Sequence, residues 1–203
     1  MKQSGKKKSK FRITLGFTCN ADGSEKLPPL YIGKYKRPRC FGRQTPEQQG
    51  FYYRFNKKAW MTSVIFDEYV ASSFLELKNK ANWNIRFIRQ FDMKMRSGKQ
   101  HILLTIDNFS GHYINYEPTN IQIEFFEPNL TPFVQPLDAG IIRCFKAHYR
   151  KGLCLRAIDR DDEGAEDIFD PNLLEGMKMA KEAWDAVSAE TIKNCWKHTK
   201  IQK

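Results

Sequence analysis

Asp107 and Asp138 are the two residues of this chain whose setting most suggests chemistry. Asp107 closes the run His101-Ile102-Leu103-Leu104-Thr105-Ile106-Asp107-Asn108. Asp138 sits thirty-one positions later, within Phe133-Val134-Gln135-Pro136-Leu137-Asp138-Ala139-Gly140-Ile141-Ile142. Each aspartate follows an apolar stretch, and a carboxylate at the end of a buried strand is held rigidly at the rim of a sheet. Two such carboxylates can grip a hard divalent cation, because Mg²⁺ takes oxygen ligands and uses only one or two from protein. Phosphodiester chemistry on a nucleic acid is the reaction this pattern suggests.

Those carboxylates need elements to carry them, and the pattern of apolar residues supplies a set. Phe11, Ile13, Leu15 and Phe17 alternate with polar or small residues, which predicts a half-buried strand. Asn20-Ala21-Asp22-Gly23 offers turn chemistry, and Leu27 to Gly33 is expected to return as the second arm of a hairpin. Pro28 and Pro29 fall at its start, where a missing donor is tolerated. Arg37 to Asn56 reads as irregular. From Trp60 to Lys80 the pairs Trp60/Val64, Ile65/Tyr69 and Phe74/Leu77 fall at helical spacing, with Thr62 or Ser63 as the cap. Ile102 to Ile106 is expected to be a strand covered on both faces, and Ile121, Ile123 and Phe125 mark another. Ile142, Phe145, Tyr149 and Leu153 predict a helix. Leu173, Met177, Ala180, Trp184 and Val187 form the stripe of a second one, and Ser188 caps a last helix bearing Ile192, Cys195 and Trp196. Both stripes read as core. The element order gives a mixed α/β fold.

At 203 residues the chain suits one domain with a real core. Its formal charge of +11 points to a polyanionic partner. The five cysteines are odd in number and form no C-x-x-C pair, so neither a zinc module nor a disulfide framework is indicated, and reduced thiols are expected. No apolar run reaches the roughly 18 residues that span a bilayer. Met1 to Lys10 is lysine-rich without a hydrophobic segment, which excludes a secretory signal; Lys6-Lys7-Lys8 would suit nuclear import.

Several blocks then resemble one family. Asp107-Asn108-Phe109-Ser110-Gly111-His112 resembles the D-N-x-x-x-H segment of pogo/Tigger/jerky-type transposases, the DDE superfamily endonucleases related to centromere protein B. Pro128-Asn129-Leu130-Thr131 with Gln135-Pro136-Leu137-Asp138-Ala139-Gly140-Ile141-Ile142 is similar to that family's P-N-x-T…Q-P-L-D-x-G-I-I block. Asn20 to Leu30 resembles its hairpin, Trp60-Met61-Thr62 its first helix, and Ala183-Trp184, Thr191-Ile192 and Asn194-Cys195-Trp196 its C-terminal region. The likeness spans nearly the whole chain, in order.

The resemblance implies an RNase H-like mixed sheet flanked by helices, with a helical C-terminal tail. With the composition of the chain, it gives a basic arm at 1–10, the DDE domain at 11–158, an acidic loop at 159–171 read from its Asp and Glu content, and C-terminal helices of the same domain at 172–203. By matching position, Asp107 and Asp138 become the second and third acidic metal ligands and the catalytic pair. In that scheme two Mg²⁺ or Mn²⁺ ions about 3.5–4 Å apart activate the attacking group and stabilise the leaving oxygen. His112 and Asn108 are given shaping roles at most, His112 reading as a structural histidine.

The family's first aspartate lies on a central strand upstream of the hairpin, and the chain is expected to lack both that strand and the helix-turn-helix domains. Asp22 matches the hairpin turn instead, and Asp67 and Asp92 read as helix-end or surface charges. The expected function is therefore a DNA-binding transposase-derived domain of the nucleus, catalytically incomplete, with a homo-oligomer on transposon ends as its implied assembly and no membrane. A non-enzymatic DNA-binding or chromatin-associated protein and an inactive gene fragment stay open as alternatives.

Overall fold

Polar turn chemistry in the first third of the chain decides how it begins to fold. The computed structural model describes residues 12–72, 87–112, 117–128 and 130–201. The basic arm at 1–10, Phe11 and the end of the expected helix, with Phe74 and Leu77, lie outside them. Strand β1 (Thr14–Gly16) runs antiparallel to β2 (Leu30–Gly33), with an isolated bridge between Cys19 and Lys26. The turn between them is held by Asp22, whose Oδ1 accepts from the Ser24 amide at 2.9 Å. That bond and the Ser24 hydroxyl hold the Asp22 carboxyl below its ordinary pKa. Gly23 takes φ +71°, and a Cβ there would lie 2.5 Å from the Ala189 backbone. The hairpin is as expected, and Asp22 serves its turn.

The segment read as irregular contains two regular pieces. A single 3₁₀ turn spans Arg39–Phe41, and β3 (Tyr52–Phe55) pairs parallel to β2. Tyr52 and Tyr53 are both buried, so β3 shows no period-two pattern at its start; that is why alternation missed it. Helix α1 (Ser63–Ser72) follows, with Thr62 as its cap: Thr62 Oγ1 accepts from the Ile65 amide at 3.3 Å. Helix α2 (Phe87–Ser97) was not expected. It carries Asp92, which is not a surface charge but 3% exposed. Its carboxylate accepts from the Thr119 amide and hydroxyl, both at 3.1 Å, and from the Asn120 amide at 2.5 Å. A buried carboxylate that satisfies main-chain donors is structural, and here it docks α2 onto the start of the next strand.

That strand, β5 (Ile121–Phe125), lies parallel to β4 (Ile102–Ile106), as the apolar runs predict. The expectation of a strand covered on both faces fails for β4, since Leu103 is 49% exposed and only Ile106 is fully buried. Among the described residues the strands form two sheets, β1-β2-β3 and β4-β5. One mixed sheet was expected; β1 and β4 each have a single strand partner instead.

The C-terminal half is helical. A four-residue helix, α3 (Thr131–Val134), and a wide π turn over Leu137–Ile141 lead into α4 (Ile142–Asp162). Helix α4 absorbs Asp159 to Asp162, so the acidic loop begins later than the composition suggested. Helix α5 (Leu173–Asp185) opens on a capping box, with Asn172 accepting from the Glu175 amide and Glu175 answering to the Asn172 amide. Ser188 caps α6 (Ala189–Thr199), as the sequence indicates. The expected stripe on α5 is core: Met177, Ala180, Trp184 and Val187 are all buried and join Tyr31, Phe145, Ile141 and Ile192 in one cluster. Each such large apolar side chain contributes about 1.5–3 kcal/mol when fully buried. Trp184 also donates from Nε1 to the Leu27 carbonyl at 2.8 Å, so the hairpin is fastened to the C-terminal helices.

Candidate active site

Ile106, the last residue of β4, is buried, and its carbonyl accepts from the Phe126 amide at 3.0 Å. This fixes the backbone one residue before Asp107, so the carboxylate leaves the strand end from a rigid base. A tight turn then returns the chain: the His112 amide donates to the Phe109 carbonyl at 2.9 Å. The turn brings His112 back onto Asp107, with Nδ1 2.5 Å from Oδ1 and 3.3 Å from the Asp107 carbonyl oxygen. The ring is 10% exposed, stacked on Phe66 of α1 at 4.1 Å and met edge-on by Phe109 at 5.2 Å. His112 is thus a packed histidine, and its contact with Asp107 gives it a positioning role that its type alone did not disclose. The five-residue spacing in D-N-x-x-x-H was the available signal. Phe66 carried none, because only folding brings α1 against this turn.

Asp138 arrives by another route. It was expected past a strand, but the stretch before it forms α3, and the aspartate lies in the wide turn that opens into α4. The turn is anchored on both sides by buried Gln135, Gly140 and Ile141. Gly140 passes close to Cys195 of α6, where a Cβ would approach the sulfur to 2.7 Å. Asp138 itself is exposed. Partial burial raises its carboxyl above the ordinary value; the charge of Asp107 raises it further, and Lys146 on α4 opposes both. The charge of Asp107 thus reaches Asp138, thirty-one positions later in the sequence. Asp107 follows the end of a strand and Asp138 lies at the start of a helix, rather than both standing at one edge of a single sheet.

The donor set suits a hard cation in one respect and falls short in another. Asp107 Oδ1 is buried against His112 Nδ1, while the Asp107 side chain as a whole is 45% exposed. Carboxylate oxygens are the ligand type that a hard divalent ion takes, and Asp107 and Asp138 supply two such groups. Among the described residues, however, no cluster of three His, Cys, Asp or Glu side chains could enclose such an ion. Asp67 is exposed on α1, and Asp92 is committed to Thr119 and Asn120.

The family model for DDE superfamily endonucleases matches residues 10–196. The chain belongs to that family. Among its relatives is Tigger transposable element-derived protein 4 of Mus musculus, 30% identical over 90% of this chain and 31% of that protein. CENP-B homolog protein 2 of Schizosaccharomyces pombe is 28% identical over 93% of this chain and 35% of its own length. ARS-binding protein 1 of the same yeast is 29% identical over 92% and 34% respectively. The DDE chain thus spans about a third of the length of these curated relatives. No solved structure matches it. This is a transposase-derived DDE domain of the Tigger and CENP-B group, as the sequence blocks implied. Among the described residues no helix is long and apolar enough to cross a membrane.

Proposed function

We propose that Asp107 and Asp138 are two acidic ligands of a divalent cation, Mg²⁺ or Mn²⁺, in an RNase H-like nuclease domain that acts on DNA in the nucleus. The single observation that carries this reading is the placement of Asp107 directly after β4 with His112 against it, and of Asp138 in the wide turn before α4, where the charge of Asp107 helps to raise the Asp138 carboxyl. An ion bound there would neutralise charge at a phosphodiester and acidify an attacking water or hydroxyl. The protein's own share is positional. His112, wedged between Phe66 and Phe109, fixes the Asp107 carboxylate; the wide turn at Leu137–Ile141 presents Asp138; Lys146 offsets part of the negative charge.

The RNase H-like part of the reading draws on family membership. With two acids alone the clamp is incomplete, so this chain by itself is expected to bind metal weakly and to cleave no DNA. The name of ARS-binding protein 1 and the charge of +11 support a DNA partner. A homo-oligomer on transposon ends is the assembly proposed for a longer protein containing this domain.

Mn²⁺ binding followed by electron paramagnetic resonance tests the metal site directly. Wild type should take up the ion, and Asp107→Asn and Asp138→Asn should each lose it; uptake unchanged in both variants would sink the assignment. Incubation with supercoiled plasmid tests the incompleteness: nicking that disappears in either variant would show a working nuclease. A second reading, a DNA-binding protein without catalysis, is favoured by the formal charge of +11. It requires duplex affinity that falls steeply with salt, and salt-independent binding or none at low salt would count against it.

A further inference from the structure

A second feature, away from the carboxylates, concerns how the chain holds Trp60. Strands β2 and β3 are parallel, so the segments leaving their C-terminal ends emerge side by side. The Asn56 amide donates to the Gly33 carbonyl at 3.1 Å, and the Tyr53 hydroxyl donates to the Tyr35 carbonyl at 2.8 Å, which locks the two exits together. From the first exit come Lys34, Tyr35, Lys36 and Arg37; from the second come Lys57, Lys58 and Trp60, all exposed. Residues 34–43 and 56–64 contain seven lysines and arginines and no acidic residue.

The turn that presents Trp60 is built rather than loose. Asn56 Oδ1 accepts from the Lys58 amide at 3.0 Å and the Trp60 amide at 3.2 Å, while its Nδ2 donates to the Trp60 carbonyl at 2.6 Å. Ala59 is buried at φ +53°, a left-handed conformation that costs an L-residue about 1–2 kcal/mol, and its carbonyl accepts from Thr14 Oγ1 at 2.8 Å. All of this holds an indole 61% exposed. Local strain that keeps a large apolar ring in solvent is a mark of a contact surface. Tyr35, at 54% exposure, stands on the neighbouring exit. Each ring has its own lysine: Lys58 Nζ lies 5.5 Å from the Trp60 ring centroid, and Lys34 Nζ 5.6 Å from that of Tyr35.

We infer that this face is a stacking platform for single-stranded DNA, with Trp60 and Tyr35 receiving bases and Lys34, Lys36, Arg37, Lys57 and Lys58 tracking the phosphates. Rings alternating with cations fit an unpaired strand better than a duplex, whose bases hide their faces in the stack. An acidic protein segment would match the charge but would give the two rings no planar partner. The platform also leads toward the carboxylates, because Trp60 lies just before α1 and Phe66 of α1 stacks on His112. The inference rests on the nucleic-acid reading above but makes its own claim about these residues.

Binding of a labelled oligothymidine of about 12 nucleotides, in about 50 mM salt, tests it by fluorescence anisotropy. Trp60→Ala should weaken binding about tenfold, Trp60→Phe much less, and both variants should keep the circular dichroism of the wild type. Lys57→Gln with Lys58→Gln should lower the slope of log affinity against log salt by about 1.4, whereas Arg150→Gln with Lys151→Gln on α4 should leave the affinity for this strand within about twofold of wild type. Tight wild-type binding that ignores Trp60→Ala would overturn the platform and leave the DNA-binding reading standing. Equal loss on a duplex of the same sequence, or equal affinity for polyglutamate, would overturn single-strand recognition. No binding of either nucleic acid at low salt would bring down both readings.

Discussion

Lys26 is where the hairpin is clasped to the C-terminal helices, and its replacement by methionine should reveal how much that clasp contributes. Its ammonium donates to three carbonyls at the end of α5: Trp184 at 2.8 Å, Asp185 at 3.0 Å and Val187 at 2.5 Å. It also lies 5.5 Å from the Trp184 ring centroid. Methionine keeps the length and the packing but removes every donor and the charge. The Trp184 carbonyl retains the Val187 amide at 3.1 Å, so the loss falls mainly on the other two oxygens. A hydrogen bond from a charged donor contributes about 1.5–3 kcal/mol net. The cation over the indole and its place at the negative end of a helix add about 0.5–1 kcal/mol each. Burial is the largest influence on Lys26 and holds its pKa below the ordinary lysine value, a desolvation cost that offsets part of these gains, so Lys26→Met should cost about 2 kcal/mol. For a domain of this size that lowers Tm by about 4–8 °C. Urea denaturation and calorimetry give the value, with Lys181→Met as the control. Lys181 is also a lysine of α5, but its exposed pair with Asp185 is worth only about 0.3–0.5 kcal/mol. Equal, small effects at both positions would refute the idea that the clasp joins the two halves of the fold.

The raised carboxyl of Asp138 has a sign that can be read without any activity. Its folded pKa lies above the unfolded value, so through that interval the native state holds more protons and stability falls as pH rises. Asp138→Asn should therefore be more stable than wild type at neutral pH in chelator, with the gap closing as pH drops through the raised pKa; a wild type more stable than the variant under those conditions would contradict the repulsion between Asp138 and Asp107. Thiol reactivity supplies another measurement. Burial pushes Cys19 up to about 11, so at about pH 8 it should resist a disulfide reagent until the chain is unfolded, while exposed Cys154 reacts at once. Rapid modification of Cys19 in the native protein would mean that the hairpin does not pack on the helices as described.

The local elements were open to reading from the residues because their causes are local. The alternation around Ile13 and Leu15, the Asn20–Gly23 turn, Thr62 and Ser188 as caps, and the Met177/Ala180/Trp184 stripe each depend on neighbours within a few positions, and the structure has them all. The setting of Asp107 was readable too, since the apolar run before it forms β4. Tertiary structure alone decided the rest. Asp92 looks on paper like any helix-surface acid, and only the approach of Thr119 and Asn120 turns it into a buried dock. Strand β3 hides behind two buried tyrosines, and Asp138 rides a helix start because Gly140 and Ile141 pack beneath α6 instead of extending into a sheet. His112 touches Asp107, and Trp60 stays in solvent, for a common reason. Neither outcome follows from residue type; each turn is closed by local hydrogen bonds, but what seats it, Phe66 against His112 and Thr14 against Ala59, comes from distant parts of the chain.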